Sequence, residues 1–444
     1  MDKHISMQTL QSFDSAFQSS RANAVAMNAV TANGINASAR SWTARPEGRN
    51  QYSIQLDNKG ITNQKQSGRC WMFAALNCLR YEVIHNLNLE DFELSQNYTF
   101  FYDKLERANY FLECILSTAD RDITDRVVAH LLDTPTQDGG QWDMISNIIR
   151  KYGVVPKDAM PESACSSVSR ELNGLLSELL RSDACALRRG YQTGKTLDEL
   201  RTEKESMMSA VYRMLCISLG APPKTVDFEA RTKDGAFIRD CGLTPQEFYQ
   251  KYVKLDLTQY ISLINAPTAD KPYYRSYTVQ YLGNVLDGQP IRYVNLPIKV
   301  LKEAAIAQMK DGQPVWFGCD MGKRVARPDG VMDVNAYDYE ALFGAAASMT
   351  KAERLDYGHS RMTHAMVFQG VDLDASGAPV RWRVENSWGG DSGFKGMYLM
   401  TDGWFDEYMY QVVVHKKYLA QEVLAAYDSE PVVLAPWDPM GALA

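Results

Sequence analysis

The distribution of hydrophobic periodicity constrains the fold most, because the pattern changes from helical to strand-like late in the chain. Long amphipathic runs at 169–187 and 196–219 are typical of helices. The last third instead carries short β-prone runs bounded by Gly, Pro and Asp. These runs begin at Val315, Ala365, Arg381, Met397 and Tyr410. Several short strands at close spacing predict an antiparallel sheet or partial barrel beside the helices, which is an α+β class.

Length and charge limit the classes of partner that the chain suits. Its 444 residues exceed what one core needs, so two or three packed units are expected. The 47 basic and 54 acidic side chains leave a net charge of -7. Nucleic acid and anionic membrane surfaces require clustered positive charge, so this balance argues against both partners. No apolar run approaches the ~20 residues that span a bilayer.

Cysteine usage and the N-terminus predict a cytoplasmic protein. The eight cysteines are widely scattered and contain no C-x-x-C pair, which suits free thiols in a reducing compartment. The polar N-terminus, residues 1–6, lacks the apolar segment of a secretory signal.

Cys70 is the first candidate for chemistry. Apolar residues at helical spacing predict a helix over 70–84, and the turn residues Ser67 and Gly68 are expected to cap it. The positive end of the helix dipole then lowers the pKa of the Cys70 thiol and favours the thiolate. Taken alone, a cysteine beside Trp71 is more often a core residue.

A nucleophilic cysteine also needs an oxyanion donor, a base and a group that orients the base. Three further side chains are candidates for these roles. Gln64, six residues before Cys70, can point an amide N–H at the position that the Cys70 N–H faces, forming an oxyanion hole. His364 opens a strand-like run and is the candidate base. Asn386 heads Asn-Ser-Trp-Gly, where its side-chain oxygen would accept from the imidazole and fix its tautomer.

Each of these assignments has an alternative. His359, five residues earlier, is a second candidate base, and Asn386 also suits the end of a strand. Trp388 is expected to pack over the His–Asn hydrogen bond and exclude water. Gly139 and Gly140 form a loop that would expose backbone groups to an extended substrate, or an ordinary turn.

The Gln-x₅-Cys-Trp segment, the histidine at a strand start and Asn-Ser-Trp-Gly, in this order, resemble the papain-type cysteine peptidases. The segments 64–73, 95–106 and 362–372 resemble more closely the bleomycin hydrolase and bacterial aminopeptidase C family, over most of the chain. One spacing departs from small papain-like enzymes, since 294 residues separate Cys70 from His364, against the expected ~130–150. The block 157–290 accounts for the excess as a mainly helical insertion.

The resemblance implies a papain-like fold with a helical left domain, a β-barrel-like right domain and this large insertion. It also implies a cysteine aminopeptidase that acts on peptides with a free N-terminus, a homohexamer that encloses the active sites, and a C-terminal arm that lies in the cleft. The Ala444 carboxylate would then pair with the substrate's α-amino group. No metal-binding, phosphate-loop or dinucleotide motif is present, so no cofactor or metal is expected.

The corresponding units, in chain order, are an N-terminal arm and lead-in (1–60), a helical half with the nucleophile (61–156), the insertion (157–290), a β-rich half with His364 and Asn386 (291–435), and the C-terminal arm (436–444).

Three other functions remain as alternatives. An endopeptidase would use the same four residues. A Cys-His acyl or amine transferase usually orients its histidine with Asp, which Asn386 disfavours. A catalytically inactive binding protein would not need the complete set of Gln, Cys, His and Asn.

Overall fold

The structure is a computed structural model, and it describes residues 3–42, 44, 50–56, 60–345 and 347–443. Helices dominate the first half of the chain, whereas most strands lie in the second half. The α-helices of the described residues are α1 (Met7–Gln18), α2 (Arg21–Asn33), α3 (Ile35–Ala39), α4 (Cys70–Asn86), α5 (Gln96–Ser117), α6 (Arg126–Asp133), α7 (Trp142–Tyr152), α8 (Ala164–Ser167), α9 (Arg170–Gln192), α10 (Leu197–Leu219), α11 (Pro245–Phe248), α12 (Ile298–Lys310), α13 (Tyr339–Phe343), α14 (Lys351–Asp356), α15 (Asp402–Tyr408) and α16 (Gln421–Asp428).

The strands confirm the α+β class. They are β1 (Ile54–Gln55), β2 (Val226–Arg231), β3 (Phe237–Leu243), β4 (Tyr260–Ile264), β5 (Arg275–Val279), β6 (Tyr293–Asn295), β7 (Val315–Cys319), β8 (Val325–Ala326), β9 (Val331–Met332), β10 (His364–Leu373), β11 (Pro379–Glu385), β12 (Met397–Thr401), β13 (Met409–His415) and β14 (Val432–Leu434).

One mixed sheet organises the second half. Its order is β14-β5-β6-β4-β13-β7-β10-β11-β12-β9-β8, and β1 adds to β10. The strands β7 and β11 lie on either side of β10 and are antiparallel to it, with Val367 opposite Trp316 of β7 and opposite Glu385 of β11. Because β10 and β11 run in opposite directions, the start of β10 and the end of β11 lie at the same end of the sheet.

Helix α4 is the central element of the helical half. The sequence predicts an amphipathic helix, but the helix is enclosed on most sides, and even Asn77 and Arg80 are buried. The helix itself is predicted correctly, but the prediction that only one of its faces is buried is wrong. Both polar side chains are compatible with burial because each has a partner: Asn77 Nδ2 donates to Thr62 Oγ1 at 3.0 Å, and Arg80 pairs with Glu385 at 2.6 Å.

The helical half packs directly against the sheet. The Trp316 indole Nε1 on β7 donates to the Trp71 carbonyl on α4 at 3.0 Å. The Arg80–Glu385 pair joins α4 to the end of β11, and Gln369 on β10 donates to the same carboxylate at 2.6 Å. These buried polar contacts hold α4 against β7, β10 and β11.

The block 157–290 contains the long helices α9 and α10 that the sequence predicts, and Thr196 caps α10 in a capping box. The block also supplies strands to the sheet. The strand β4 pairs with β13, and β5 pairs with β6. The predicted boundary at residue 290 therefore cuts through the sheet, because sequence-distant pairing makes strands of a passage that local signals indicate as turns.

The N-terminal helices α1 and α2 bury none of their residues. The segment after them is attached to the sheet, since Arg40 pairs with Asp329 at 2.7 Å. Within the described parts of the chain, none of the helices combines the length and the apolar character that crossing a bilayer requires.

Candidate active site

Cys70 is the first residue of α4, and its side chain is buried. The preceding turn is fixed by Arg69, whose guanidinium forms two hydrogen bonds to Glu162, at 3.1 and 2.7 Å. The expected capping by Ser67 and Gly68 is wrong, because the Ser67 hydroxyl donates to the Gln64 carbonyl at 2.7 Å and accepts from Arg69 Nε at 2.9 Å. The helix start is held by this buried arginine instead of a side-chain cap.

His364 begins β10, and Asn386 follows the last residue of β11, so the antiparallel pairing brings them together. His364 Nε2 lies 2.9 Å from Asn386 Oδ1. The same Oδ1 accepts from the Ser387 backbone N–H at 2.8 Å, which identifies it as the oxygen of the amide. Nε2 must therefore carry the proton of the neutral ring, and the lone pair is left on Nδ1.

The thiol lies against the strand that carries the histidine. The Ala365 N–H, next to His364, donates to Cys70 Sγ at 3.5 Å. His359, the alternative base, lies exposed in the turn after α14. Its backbone N–H donates to the Arg354 carbonyl at 2.8 Å. The geometry therefore favours His364 over His359 as the partner of the thiol.

Gln64 is buried, and both ends of its side-chain amide are held. Nε2 donates to the Ser67 carbonyl at 2.6 Å, and Oε1 accepts from Ser387 Oγ at 2.6 Å. The Gln64 N–H also donates to the Ser387 carbonyl at 2.8 Å. Among the described residues, one Nε2 proton is used in this way and the second remains available. Ser387 therefore ties the Gln64 amide to the neighbouring Asn386.

Trp388 covers the imidazole, as the sequence predicts. Its ring lies 4.9 Å from the His364 ring, at an interplanar angle of 38°. The guanidinium carbon of Arg327 lies 4.9 Å from the Trp388 ring. The indole thus shields one side of the His364–Asn386 pair and connects it to a positively charged side chain.

Burial controls the protonation of the site. Desolvation raises the pKa of the Cys70 thiol to about 11, against the opposing effect of the Ala365, Trp71 and Cys70 backbone N–H groups. Desolvation also lowers the pKa of His364 to about 4, since the Asn386 hydrogen bond opposes it only partly and the Arg327 charge adds to it. The expectation of a lowered Cys70 pKa is wrong for this enclosed site, because complete burial outweighs the helix N-terminus.

The Gly139–Gly140 loop lies against the start of α4. A Cβ on Gly140 would come within 2.4 Å of the Trp71 ring, so this position requires glycine. The Gly139 carbonyl accepts from Arg107 at 2.9 Å. Close packing on Trp71 is therefore sufficient to explain why residue 140 is a glycine. The contact of Gly140 with substrate stays a prediction.

Sequence reasoning missed Asp138, which anchors this loop. Its buried carboxylate pairs with Lys104 at 2.8 Å and accepts from the Gly68 N–H at 3.0 Å and from Asn173 at 2.7 Å. Burial opposes ionisation of Asp138, but the Lys104 charge and the hydrogen bonds from Lys104, Ser169 and Asn173 hold the pKa of this carboxyl well below its usual range. Its position directly before two glycines was the signal available in the sequence.

The C-terminal arm reaches the same loop. Gln141, one residue after Gly140, donates from Nε2 to the Ala442 carbonyl at 2.7 Å. Asp438 pairs with the buried Lys271 at 2.9 Å, and Arg126 stacks on Trp437 at 3.7 Å. Ala444, the predicted contact of the substrate amine, lies outside the described residues.

Metal ligands do not form a cluster here: in the described ranges, no three His, Cys, Asp or Glu side chains converge to hold an ion. The chemistry that this arrangement can perform is that of a cysteine with an adjacent, tautomer-fixed imidazole and an oriented amide donor.

The chain is similar to known proteins over almost its whole length. A family model described as Peptidase C1-like matches residues 4–441. Aminopeptidase C from Listeria monocytogenes is 49% identical over 444 residues, which is 100% of each chain. Bleomycin hydrolase from Homo sapiens is 46% identical over 401 residues, covering 89% of this chain and 88% of the human protein. The crystal structure of PepW from Lactobacillus rhamnosis HN001 has a TM-score of 0.98 at 50% identity and covers 100% of both chains.

Proposed function

The chain belongs to the Peptidase C1-like family and is a cysteine aminopeptidase with an α+β, papain-like fold, and we propose that Cys70, His364 and Asn386 carry its chemistry. The observation that carries this proposal is the 2.9 Å contact of His364 Nε2 with Asn386 Oδ1, beside a cysteine at a helix start. The cleft then lies between a helical left domain and a β-barrel-like right domain.

Attack begins with proton transfer from the Cys70 thiol to the free lone pair of His364 Nδ1. Burial penalises each charge when it forms alone, as the raised thiol pKa and lowered imidazole pKa indicate. A single transfer forms both charges next to each other, where their attraction in a low-dielectric site offsets that penalty. The sulfur then attacks the first peptide carbonyl, while the Gln64 amide and the Cys70 N–H stabilise the oxyanion.

His364 next acts as an acid. The imidazolium protonates the leaving amine as the C–N bond breaks, which leaves an acyl-enzyme on Cys70 and a neutral ring. A low pKa makes this imidazolium a good proton donor. The neutral ring then deprotonates the water that hydrolyses the acyl-enzyme, and Asn386 keeps the ring in place throughout.

Specificity for a free N-terminus is assigned to the C-terminal arm. The contact of Gln141 with Ala442 supports this assignment, because Gln141 continues the Gly139–Gly140 loop beside Trp71. The arm occupies the non-primed side and blocks residues before the scissile bond. The Ala444 carboxylate pairs with the α-amino group, and the loop backbone and Trp388 contact the peptide.

A cytoplasmic homohexamer is the proposed form of the protein. The apolar side chains that α1 leaves exposed support contacts between subunits, since such surface on a helix that buries nothing favours association. The eight free cysteines suit a reducing compartment.

The proposed function is tested with paired peptides of one sequence, one with a free and one with an acetylated N-terminus. We expect release of the first residue from the free peptide only, loss of all activity in Cys70→Ala, and no such loss in Cys185→Ala, which changes an exposed thiol. Equal internal cleavage of both peptides would instead identify an endopeptidase. Transfer of the acyl group to an added amine, without hydrolysis, would identify a transferase.

A further inference from the structure

A cavity of about 620 Å³ lies near Trp388, the residue that covers His364. Arg327 forms part of its wall and lies over Trp388, which itself lies over His364. Each of these two steps is 4.9 Å, so the guanidinium is at most about 10 Å from the imidazole. On another wall, the Met321 N–H donates to Thr363 Oγ1 at 3.1 Å, one residue before His364. These contacts place two walls of the cavity close to His364.

The lining is positively charged although the protein carries a net charge of -7. Three arginines and one aspartate line it: Arg40, Arg324, Arg327 and Asp329. Arg40 is committed to Asp329, at 2.7 Å. Arg324 donates to the Tyr337 carbonyl and lies over the Tyr339 ring at 4.6 Å.

Arg327 differs from the other two arginines. Its side chain is exposed, and within the described ranges its guanidinium has no carboxylate or carbonyl partner, only the Trp388 face. Stacking on an aromatic ring fixes the plane of a guanidinium and leaves its N–H edge directed outward. An arginine held in this way is suited to bidentate binding of a carboxylate.

The position of the general acid indicates that this cavity receives the leaving group, which is the peptide after the scissile bond. The acid that protonates the departing amine must stand on the side of the departing peptide. In the proposed mechanism that acid is His364, and the cavity lies on the His364 side of the site. An extended chain advances at most ~3.3–3.6 Å per residue, so two or three residues after the scissile bond reach Arg327.

We propose that Arg327 binds a carboxylate of the departing peptide, and that the enzyme therefore prefers substrates with a negative charge within about three residues after the scissile bond. This inference rests on the proposed function. The carboxylate has two possible sources, the C-terminus of a short peptide or an acidic side chain. Either one forms two parallel N–H···O bonds with the guanidinium, and the uncommitted charge of the cavity attracts both.

The experiment compares kcat/KM for two matched pairs of peptides. The first pair, Leu-Gly-Gly and its C-terminal amide, tests the terminal carboxylate. The second pair, Leu-Gly-Glu-Gly-amide and Leu-Gly-Gln-Gly-amide, tests the acidic side chain. We expect the charged member of at least one pair to be favoured about three- to tenfold, and raised salt to reduce that ratio.

Arg327→Met should bring the ratio close to one, and Arg327→Lys should retain part of it, because a lysine keeps the charge but loses the bidentate geometry. Arg213→Met, which changes an exposed arginine of α10, should keep the wild-type ratio. A wild-type ratio of one for both pairs, or a ratio that survives in Arg327→Met, would overturn the proposal. Failure of the wild-type enzyme to cleave any of the four peptides would overturn the proposed function instead.

Discussion

At the scale of single residues, the enclosure of Cys70 and His364 determines how the thiol is activated. The two buried groups favour their neutral forms when each titrates alone, since water stabilises neither charge. Reactivity at neutral pH then depends on the imidazole as a proton acceptor, not on a thiol that is already ionised.

This dependence predicts the pH profile of alkylation. The rate of Cys70 alkylation by iodoacetamide should follow the thiolate. At pH 7 we expect the alkylation rate of His364→Ala to be at least about 100-fold below that of the wild type. The rate of this variant should rise only above pH 9, toward the thiol pKa of about 11. The measurement is mass spectrometry of the Cys70 peptide against pH. His359→Ala, which changes the exposed alternative base, should keep the wild-type profile. If His359→Ala instead loses alkylation at pH 7 and His364→Ala does not, His359 is the base.

Gln64 gives a second prediction at this scale. Its amide is held by Ser67 and Ser387, so the remaining N–H has a fixed direction. If it stabilises the oxyanion, Gln64→Ala should lower kcat by ~10²–10³-fold with little change in KM. Steady-state kinetics on one peptide measures both constants. The control is Gln66→Ala, an exposed glutamine two residues away. A raised KM with unchanged kcat would mean that Gln64 binds the ground state.

At the scale of elements, one buried ion pair joins the helix of the proposed nucleophile to the sheet that carries the proposed base. Arg80 on α4 and Glu385 at the end of β11 are both almost fully buried and lie 2.6 Å apart. Arg80→Met removes the guanidinium that neutralises a buried carboxylate, and we expect a loss of ~3–5 kcal/mol in the free energy of unfolding. Denaturant titration measures it, and the double variant Arg80→Met/Glu385→Gln should recover much of the loss.

The surface pair of Arg201 with Glu113 is the matched control for this measurement. Its arginine side chain is 50% exposed, so Arg201→Met should cost only ~0–1 kcal/mol. Equal losses in Arg80→Met and Arg201→Met would show that burial of the first pair adds nothing to its effect.

Local signals explain which elements were predictable from the sequence. The bounds of α10 follow from the amphipathic run over 196–219 and from the Thr196 capping box. Strand β4 was missed because its partner β13 lies about 150 residues later, and no local pattern encodes that pairing. The same limit applies to the Arg80–Glu385 contact, whereas His364 and Asn386 were identified because their motifs are short and ordered.

At the scale of the whole molecule, the N-terminal helices predict association. On α1, Leu10, Phe13 and Phe17 follow one another at helical spacing and are 50%, 58% and 39% exposed. If this stripe packs on another subunit, replacing all three by Ser should dissociate the proposed homohexamer, whose mass would be about six times 50.0 kDa. Analytical ultracentrifugation measures the mass. Gln11→Ser on another face of α1 is the control, and an unchanged mass in the triple variant would contradict the assignment.

The C-terminal arm is anchored to parts of the molecule that are distant from one another in the sequence. Pairing of β14 with β5 fixes the residues just before the arm, and the arm itself is held by the Lys271–Asp438 pair and by Gln141 at Ala442. These contacts are spread over the insertion block and the loop beside the nucleophile. The arm is therefore seated by the fold itself as far as Ala442, and its entry into the cleft is part of the proposed function.

Removal of residues 441–444 should consequently change specificity while the protein stays folded, since the anchors at β14 and Asp438 remain. The truncated enzyme would lack both the proposed steric block on the non-primed side and the carboxylate proposed to pair with the substrate amine. We expect lower kcat/KM for peptides with a free N-terminus, together with new cleavage of acetylated peptides and of internal bonds. Mass spectrometry of the products separates these activities. Glu430→Gln, an exposed change before β14, should keep the wild-type pattern. If the truncated enzyme still requires a free N-terminus, the arm does not determine exopeptidase specificity.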